Sequence, residues 1–122
     1  MRKVLIVDDS VTVRMYHKQI LQSAGYEVDE AENGMEALEK TEEYDYEMCL
    51  VDINMPILDG YSFVKRFREN SGFDAPVIMI STEAQPNDIA IAYEAGANLY
   101  QVKPVSSDDL IASAKLLTID TK

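Results

Sequence analysis

Five short strand-like runs alternate with five helix-like segments along this chain of 122 residues. Residues 3–7, 48–51 and 76–80 form the most apolar runs, and turn residues bound them, which is typical of strands buried on both faces. Residues 27–31 and 99–102 carry charged or polar side chains, as expected at the edges of a sheet. This alternation predicts a parallel sheet with helices on both faces, because each helix must return the chain to the start of the next strand.

Helical spacing of apolar residues and boundary residues mark the segments between the runs. Gly25 and Gly96 are typical of helix ends, Pro86 suits a first helical turn, and Asp59-Gly60 is a turn that opens a helix. Three buried strands and two edge strands fit the doubly wound order 2-1-3-4-5. We therefore predict one α/β domain over residues 1–122, a flavodoxin-like (βα)5 fold with a five-stranded parallel sheet.

Polar side chains follow four of the five runs at the point where each run ends. Asp8 and Asp9 follow the first run, Asp52 the third, Ser81 the fourth and Lys103 the fifth. The carboxyl ends of parallel strands meet at one edge of a sheet, so we expect these side chains to lie together there. Three crowded carboxylates repel one another unless a cation is present, and oxygen ligands with sparse protein ligation favour Mg²⁺. The set is suited to phosphoryl transfer onto Asp52 as a nucleophile.

Charge and composition exclude several other classes of protein. The chain has 22 acidic and 11 basic residues, a net charge of −11, which argues against binding the nucleic-acid backbone. No stretch has the length of apolar residues that a membrane span needs, and no signal-peptide core is present. Cys49 is the only cysteine, so no internal disulfide is possible, and we expect a cytoplasmic protein.

Short motifs in a fixed order carry a resemblance to a known family. They are Asp8-Asp9, Asp52-Ile53-Asn54-Met55-Pro56 with Asp59-Gly60, Ser81-Thr82-Glu83-Ala84, Ala95-Gly96-Ala97, and Tyr100 ahead of Lys103-Pro104. In this order, and over nearly the whole chain, the sequence resembles a response-regulator receiver domain of the CheY-like, single-domain chemotaxis type.

The resemblance implies a role for each acidic residue of the set. Asp52 corresponds to the phosphoacceptor, and Asp9 and Asp52 correspond to the direct Mg²⁺ ligands. Asn54 is implied to offer its backbone carbonyl to the metal, and Asp8 to act largely through water.

The remaining matches imply a switch. Ser81 corresponds to the hydroxyl that is drawn toward the phosphoryl group, Lys103 to its ion-pair partner, and Tyr100 to the aromatic residue that then turns inward. The resemblance also leads us to expect a cis peptide bond between Lys103 and Pro104, although most such bonds are trans.

The implied function is that of a phospho-accepting response regulator in a two-component system. A phosphohistidine on a histidine kinase or phosphotransfer domain is the implied donor to Asp52. The face formed by the fourth helix, fifth strand and fifth helix is the implied target surface. Such a domain catalyses its own phosphorylation and dephosphorylation, so we do not expect a turnover enzyme on a free substrate. We expect a monomer that binds proteins and neither nucleic acid nor membranes.

Three other functions remain open from the residues. A docking module that works without phosphorylation would share the fold, although the complete set of strand-end residues argues against it. A Mg²⁺-dependent phosphatase of the haloacid dehalogenase type needs Asp-x-Asp after the first strand, whereas this chain has Asp8-Asp9-Ser10 and no cap insertion. An FMN carrier of the flavodoxin type needs a hydroxyl- and glycine-rich phosphate loop at that point, and the two aspartates would repel the phosphate.

Overall fold

The computed structural model describes residues 3–70, 74–83 and 85–118, so Ala84 of one matching motif lies outside the described residues. Five strands and five helices alternate within them. The strands are β1 (Lys3–Val7), β2 (Glu27–Ala31), β3 (Met48–Asp52), β4 (Val77–Ser81) and β5 (Leu99–Val102). The helices are α1 (Val11–Ser23), α2 (Gly34–Glu43), α3 (Gly60–Glu69), α4 (Pro86–Ala95) and α5 (Ser107–Leu117). All strands pair in parallel in the order β2-β1-β3-β4-β5, which confirms the predicted fold.

The two faces of the sheet bury separate apolar clusters, because successive side chains of a strand point to opposite faces. In β1, Val4 and Ile6 belong to one cluster, together with residues of α1 and α5. Leu5 and Val7 belong to the other cluster, together with residues of α2, α3 and α4. Both faces of the central strands are therefore covered, which explains why their sequences are apolar except at the ends, where Lys3, Asp52 and Ser81 stand.

The register of the strands brings their carboxyl ends to one edge. Val7 pairs with Val51, so Asp8 and Asp52 are the next residues on neighbouring strands. Ser81 pairs with Val102, the last residue of β5, so Lys103 follows directly after β5 and beside the end of β4. The predicted meeting of these strand ends is confirmed.

None of the helices that the structure describes combines the length and the apolar character needed to cross a bilayer.

Candidate functional site

Three aspartates lie together at the carboxyl ends of β1 and β3. Asp8 and Asp52 are only 2% and 5% exposed, whereas Asp9 is exposed to solvent. Each of the three offers a carboxylate oxygen, and these oxygens all lie within 4.8 Å of one another. Such a group of oxygen donors could hold a hard divalent cation, and its exposed member leaves a side open for water and for further ligands. The donor set thus fits the metal that the sequence predicts.

The ammonium group of Lys103 lies between two of these carboxylates. Its Nζ is 3.2 Å from Oδ2 of Asp8 and 2.9 Å from Oδ1 of Asp52. The backbone N–H of Lys103 donates to the carbonyl of Ser81 at 2.8 Å, which ties the lysine to the end of β4. The peptide bond between Lys103 and Pro104 is cis, as expected from the resemblance. A cation therefore stands among the acids, where it offsets part of their repulsion.

Burial and the contacts between oppositely charged groups act in opposite directions on the pKa values of Asp52 and Lys103. Burial raises the pKa of Asp52 above its usual value, and the charge of Asp8 adds to this, against the hydrogen bond from Lys103. Burial alone would lower the pKa of Lys103, but its contacts with Asp52 and Asp8 outweigh burial and raise that pKa. The two aspartates therefore favour the charged form of Lys103, whereas burial disfavours the charged form of Asp52.

The two buried aspartates differ in how many of their carboxylate oxygens accept a hydrogen bond or form an ion pair. Both carboxylate oxygens of Asp8 are engaged, since Oδ1 accepts from the backbone N–H of Ser10 at 2.9 Å and Oδ2 contacts Lys103. For Asp52, Oδ1 contacts Lys103, and no hydrogen bond from the described residues reaches Oδ2. Asp52 is thus the buried carboxylate with an uncommitted oxygen.

A glycine allows the loop after β3 to pass close to Asp52. A Cβ atom at Gly60 would lie 2.4 Å from the carbonyl oxygen of Asp52 and 2.9 Å from Cα of Ile53. The N–H of Gly60 donates to the carbonyl of Ile53 at 2.9 Å, and Asp59 caps α3. The sequence predicted only a turn at Asp59-Gly60, because the close approach depends on backbone atoms seven or eight residues away. Asn54 is exposed within this loop, two residues beyond β3.

Ser81 and Tyr100 are joined through the backbone of Glu83. Ser81 is 1% exposed at the end of β4, and its Oγ accepts a hydrogen bond from the N–H of Glu83 at 3.0 Å. The half-buried Tyr100 donates its hydroxyl proton to the carbonyl of Glu83 at 2.8 Å. Both side chains therefore hold the same residue of the loop between β4 and α4. The sequence singled out the serine and the tyrosine but not this link.

Arg14 is a further residue at the site that sequence reasoning missed. Its Nη1 donates to the backbone carbonyl of Asp8 at 2.6 Å, and its Nε donates to Glu30 at 3.1 Å. The available signal was a cation within the first turn of the helix that follows an acidic pair. A contact with a carbonyl group six residues earlier could not be inferred from that spacing.

Comparisons with known proteins agree with this geometry. A family model described as the response regulator receiver domain matches residues 4–115. The chain is 45% identical over 105 residues to the chemotaxis protein CheY1 of Helicobacter pylori, an alignment that covers 84% of this chain and 85% of that protein. It is 36% identical to the solved structure of the chemotaxis protein CheY4 of Vibrio cholerae, with a TM-score of 0.91 and coverage of 96% and 98% of the two chains.

Some relatives are considerably longer than the matching region. The chain is 35% identical over 115 residues to the transcriptional regulatory protein ResD of Bacillus subtilis, which covers 94% of this chain but only 47% of ResD. The chain thus spans about half the length of that relative.

Proposed function

Because this chain belongs to the response regulator receiver domain family, we propose that it is the phospho-accepting switch of a two-component system. Receiver domains are phosphoacceptor signalling modules rather than typical turnover enzymes, and the family implies contact with a histidine kinase and with downstream targets. The observation that carries the proposal is the cluster at the sheet edge. It contains a buried aspartate with a free oxygen, two further aspartates and a bridging lysine.

Asp52 is the proposed acceptor of the phosphoryl group. One carboxylate oxygen of Asp52 forms a bond to phosphorus as the bond between phosphorus and the donor histidine nitrogen breaks, and the electron pair of that bond stays on the imidazole. Asp8 is less suited to this role, because hydrogen bonds engage both of its oxygens. The free Oδ2 of Asp52 meets no such competition among the described residues.

We propose that Asp8, Asp9 and Asp52 hold Mg²⁺ together with the backbone carbonyl of Asn54. When bound there, the ion would supply positive charge to the phosphoryl oxygens. Lys103 contributes a second, permanent positive charge, since its contacts with Asp8 and Asp52 keep it protonated. Because it contacts Oδ1 of Asp52, Lys103 is close enough to form an ion pair with a phosphoryl group on that residue.

The proposed switch runs from Ser81 to Tyr100 through Glu83. A phosphoryl group on Asp52 attracts the hydroxyl of Ser81, which then gives up the N–H of Glu83. The carbonyl of the same residue holds the hydroxyl of Tyr100, so a change in this loop frees the tyrosine to move inward. The face formed by α4, β5 and α5 would then change its affinity for a protein target, by no more than the free energy with which phosphorylation favours one state.

We further infer a monomeric domain over residues 1–122 that works in the cytoplasm in chemotaxis or a related signalling pathway. The similarity to CheY1 of Helicobacter pylori supports the assignment to chemotaxis. The buried free thiol of Cys49 is compatible with a reducing compartment.

Phosphorylation by acetyl phosphate tests the proposal directly. In the presence of Mg²⁺, intact mass measurement is expected to detect one added phosphoryl group on the wild type and none on Asp52→Asn after the same short exposure. Asp45→Asn is a matched control, because Asp45 is an exposed aspartate outside the acidic cluster. This variant is expected to be phosphorylated like the wild type.

Two results would count against the proposal. A phosphoryl group retained by Asp52→Asn would remove Asp52 from its assigned role. A wild type that gains no phosphoryl group from acetyl phosphate or from a phosphorylated kinase, yet binds a target, would favour the docking module.

A further inference from the structure

Arg14 forms a hydrogen bond to the backbone of Asp8, the first of the two aspartates that follow β1. Its side chain is 12% exposed, and Nη1 donates to the carbonyl oxygen of Asp8 at 2.6 Å. On the other side of the same residue, the N–H of Asp8 donates to the carbonyl of Ala31 at 3.1 Å. The peptide groups before and after Asp8 are therefore both held in place by hydrogen bonds.

Asp9 depends on this backbone more than Asp8 does. The side chain of Asp8 has its own contacts with Ser10 and Lys103. The side chain of Asp9 is exposed and receives no hydrogen bond from the described residues. The carbonyl that Arg14 binds belongs to the peptide group between the two aspartates, so the orientation of that group constrains the position of the Asp9 carboxylate.

Arg14 is itself held in place by an ion pair with Glu30 of β2. Glu30 accepts from Nε of Arg14 at 3.1 Å through Oε1, and from Nζ of Lys18 at 3.1 Å through Oε2. The hydrogen bond from Lys18, followed by that from Arg14, holds the pKa of Glu30 below its usual value. Glu30 is thus charged at neutral pH and directs the guanidinium group toward the end of β1.

We propose that Arg14 is a positioning residue of the metal site, which it serves by fixing the peptide group between Asp8 and Asp9. The inference rests on the proposed function, since it concerns the Mg²⁺ that the three aspartates are proposed to hold. Groups that orient metal ligands without touching the metal commonly change metal affinity by about 10- to 100-fold when they are removed. Arg14 is such a group, with the ligand's own backbone as its contact.

The sign of the effect separates positioning from simple electrostatics. A positive charge near a cation site repels the cation, so removal of the charge of Arg14 should strengthen Mg²⁺ binding if charge alone mattered. Loss of the bond to the carbonyl of Asp8 should instead weaken Mg²⁺ binding. The two explanations therefore predict opposite changes for the same substitution.

Isothermal titration calorimetry with MgCl₂ tests the inference on the wild type and three variants. Arg14→Met keeps the length of the side chain and removes its donors, and we expect Mg²⁺ affinity to fall by about 10-fold or more. Arg14→Lys keeps the charge but lacks the planar fork that reaches two acceptors, so we expect a smaller loss in the same direction. Lys65→Met is the control: it removes an exposed cation on α3 that takes no part in the contacts of Arg14, so we expect no loss.

Phosphorylation kinetics give a second measurement. At low Mg²⁺ we expect acetyl phosphate to phosphorylate Arg14→Met more slowly than the wild type. At saturating Mg²⁺ the two rates should become similar, because the substitution changes only the occupancy of the metal site. If Arg14→Met fails to fold, as far-ultraviolet circular dichroism would reveal, Arg14→Lys carries the test alone. Unchanged or tighter Mg²⁺ binding in the folded Arg14 variants overturns the inference while the proposed function stands. A wild type that binds no Mg²⁺ overturns the metal part of the proposed function as well.

Discussion

The site consists of two halves that are held together by different forces. The acidic half comprises Asp8, Asp9, Asp52 and Lys103, and contacts between full charges join Lys103 to the buried Asp8 and Asp52. The hydroxyl half comprises Ser81, Glu83 and Tyr100, and single hydrogen bonds between neutral groups join its members. Buried ions that lose a partner cost several kcal/mol, on the order of 3–5, whereas a neutral hydrogen bond contributes about 1 kcal/mol.

This difference suits the two halves to different tasks. The acidic half is expensive to disturb, so under the proposed function it would keep the ligand positions constant while a phosphoryl group arrives. The hydroxyl half is inexpensive to rearrange, so under the proposed function a single added charge would be enough to redistribute its hydrogen bonds. Substitutions in the two halves should therefore differ in their effect on stability.

The largest effect on stability is expected for Lys103→Met. The substitution leaves Asp8 and Asp52 buried beside each other without their shared cation, and we expect the free energy of unfolding to fall by about 3 kcal/mol. Urea unfolding without metal measures this change, and added Mg²⁺ should recover part of the loss by replacing the missing charge. Lys115→Met, on the exposed surface of α5, is the control and should leave stability nearly unchanged. Equal stability of Lys103→Met and this control would contradict the contrast between the halves.

Gly60→Ala is expected to have the next largest effect. The added Cβ would lie 2.4 Å from the carbonyl of Asp52, so the backbone on one side must move. Overpacking of this kind costs about 1–3 kcal/mol, and the displacement should also weaken Mg²⁺ binding through Asp52. Urea unfolding and calorimetry measure the two effects. Loss of stability with unchanged Mg²⁺ affinity would indicate that Gly60 supports the fold without influencing the site.

Asp52→Asn is expected to raise stability at neutral pH in the absence of metal. Burial raises the pKa of Asp52 in the folded protein, so the free energy of unfolding falls as pH rises through that pKa. The amide has no charge to bury, and we expect a gain of about 1 kcal/mol. Thermal unfolding over a pH series should show the gain at neutral pH and its decline at acidic pH, where the carboxyl of the wild type is protonated. A variant less stable than the wild type at neutral pH would mean that the contact with Lys103 outweighs burial.

Tyr100→Phe is expected to have the smallest effect on stability. It removes the hydrogen bond to the carbonyl of Glu83 and keeps the ring, at a cost of about 1 kcal/mol or less. Tyr93→Phe, at an exposed position on α4, is the matched control. The role of Tyr100 in the proposed switch is tested with a second variant, Tyr100→Ala. Phosphorylation should change the affinity for a target by a different amount in this variant than in the wild type. Equal coupling in both proteins would remove Tyr100 from the mechanism.

Local patterns in the sequence were sufficient to predict the fold. The apolar runs at 3–7, 48–51 and 76–80 form strands because a sheet covered on both faces can bury successive apolar side chains, as it does at residues 4–7, 48–51 and 77–80. The polar residues that follow them must gather at one edge, since parallel strands end on the same side. For this reason the sequence predicted that the four members of the acidic half, Asp8, Asp9, Asp52 and Lys103, lie together.

The tertiary structure alone decided how these residues are held. The contact of Arg14 with the carbonyl of Asp8, the passage of Gly60 against the carbonyl of Asp52, and the two bonds to the backbone of Glu83 all involve main-chain atoms. Every residue has the same main-chain groups, so the identity of a residue in the sequence does not reveal which carbonyl or N–H will be a partner. That choice depends on the path of the backbone through the loops, which emerges only when the helices and strands have packed.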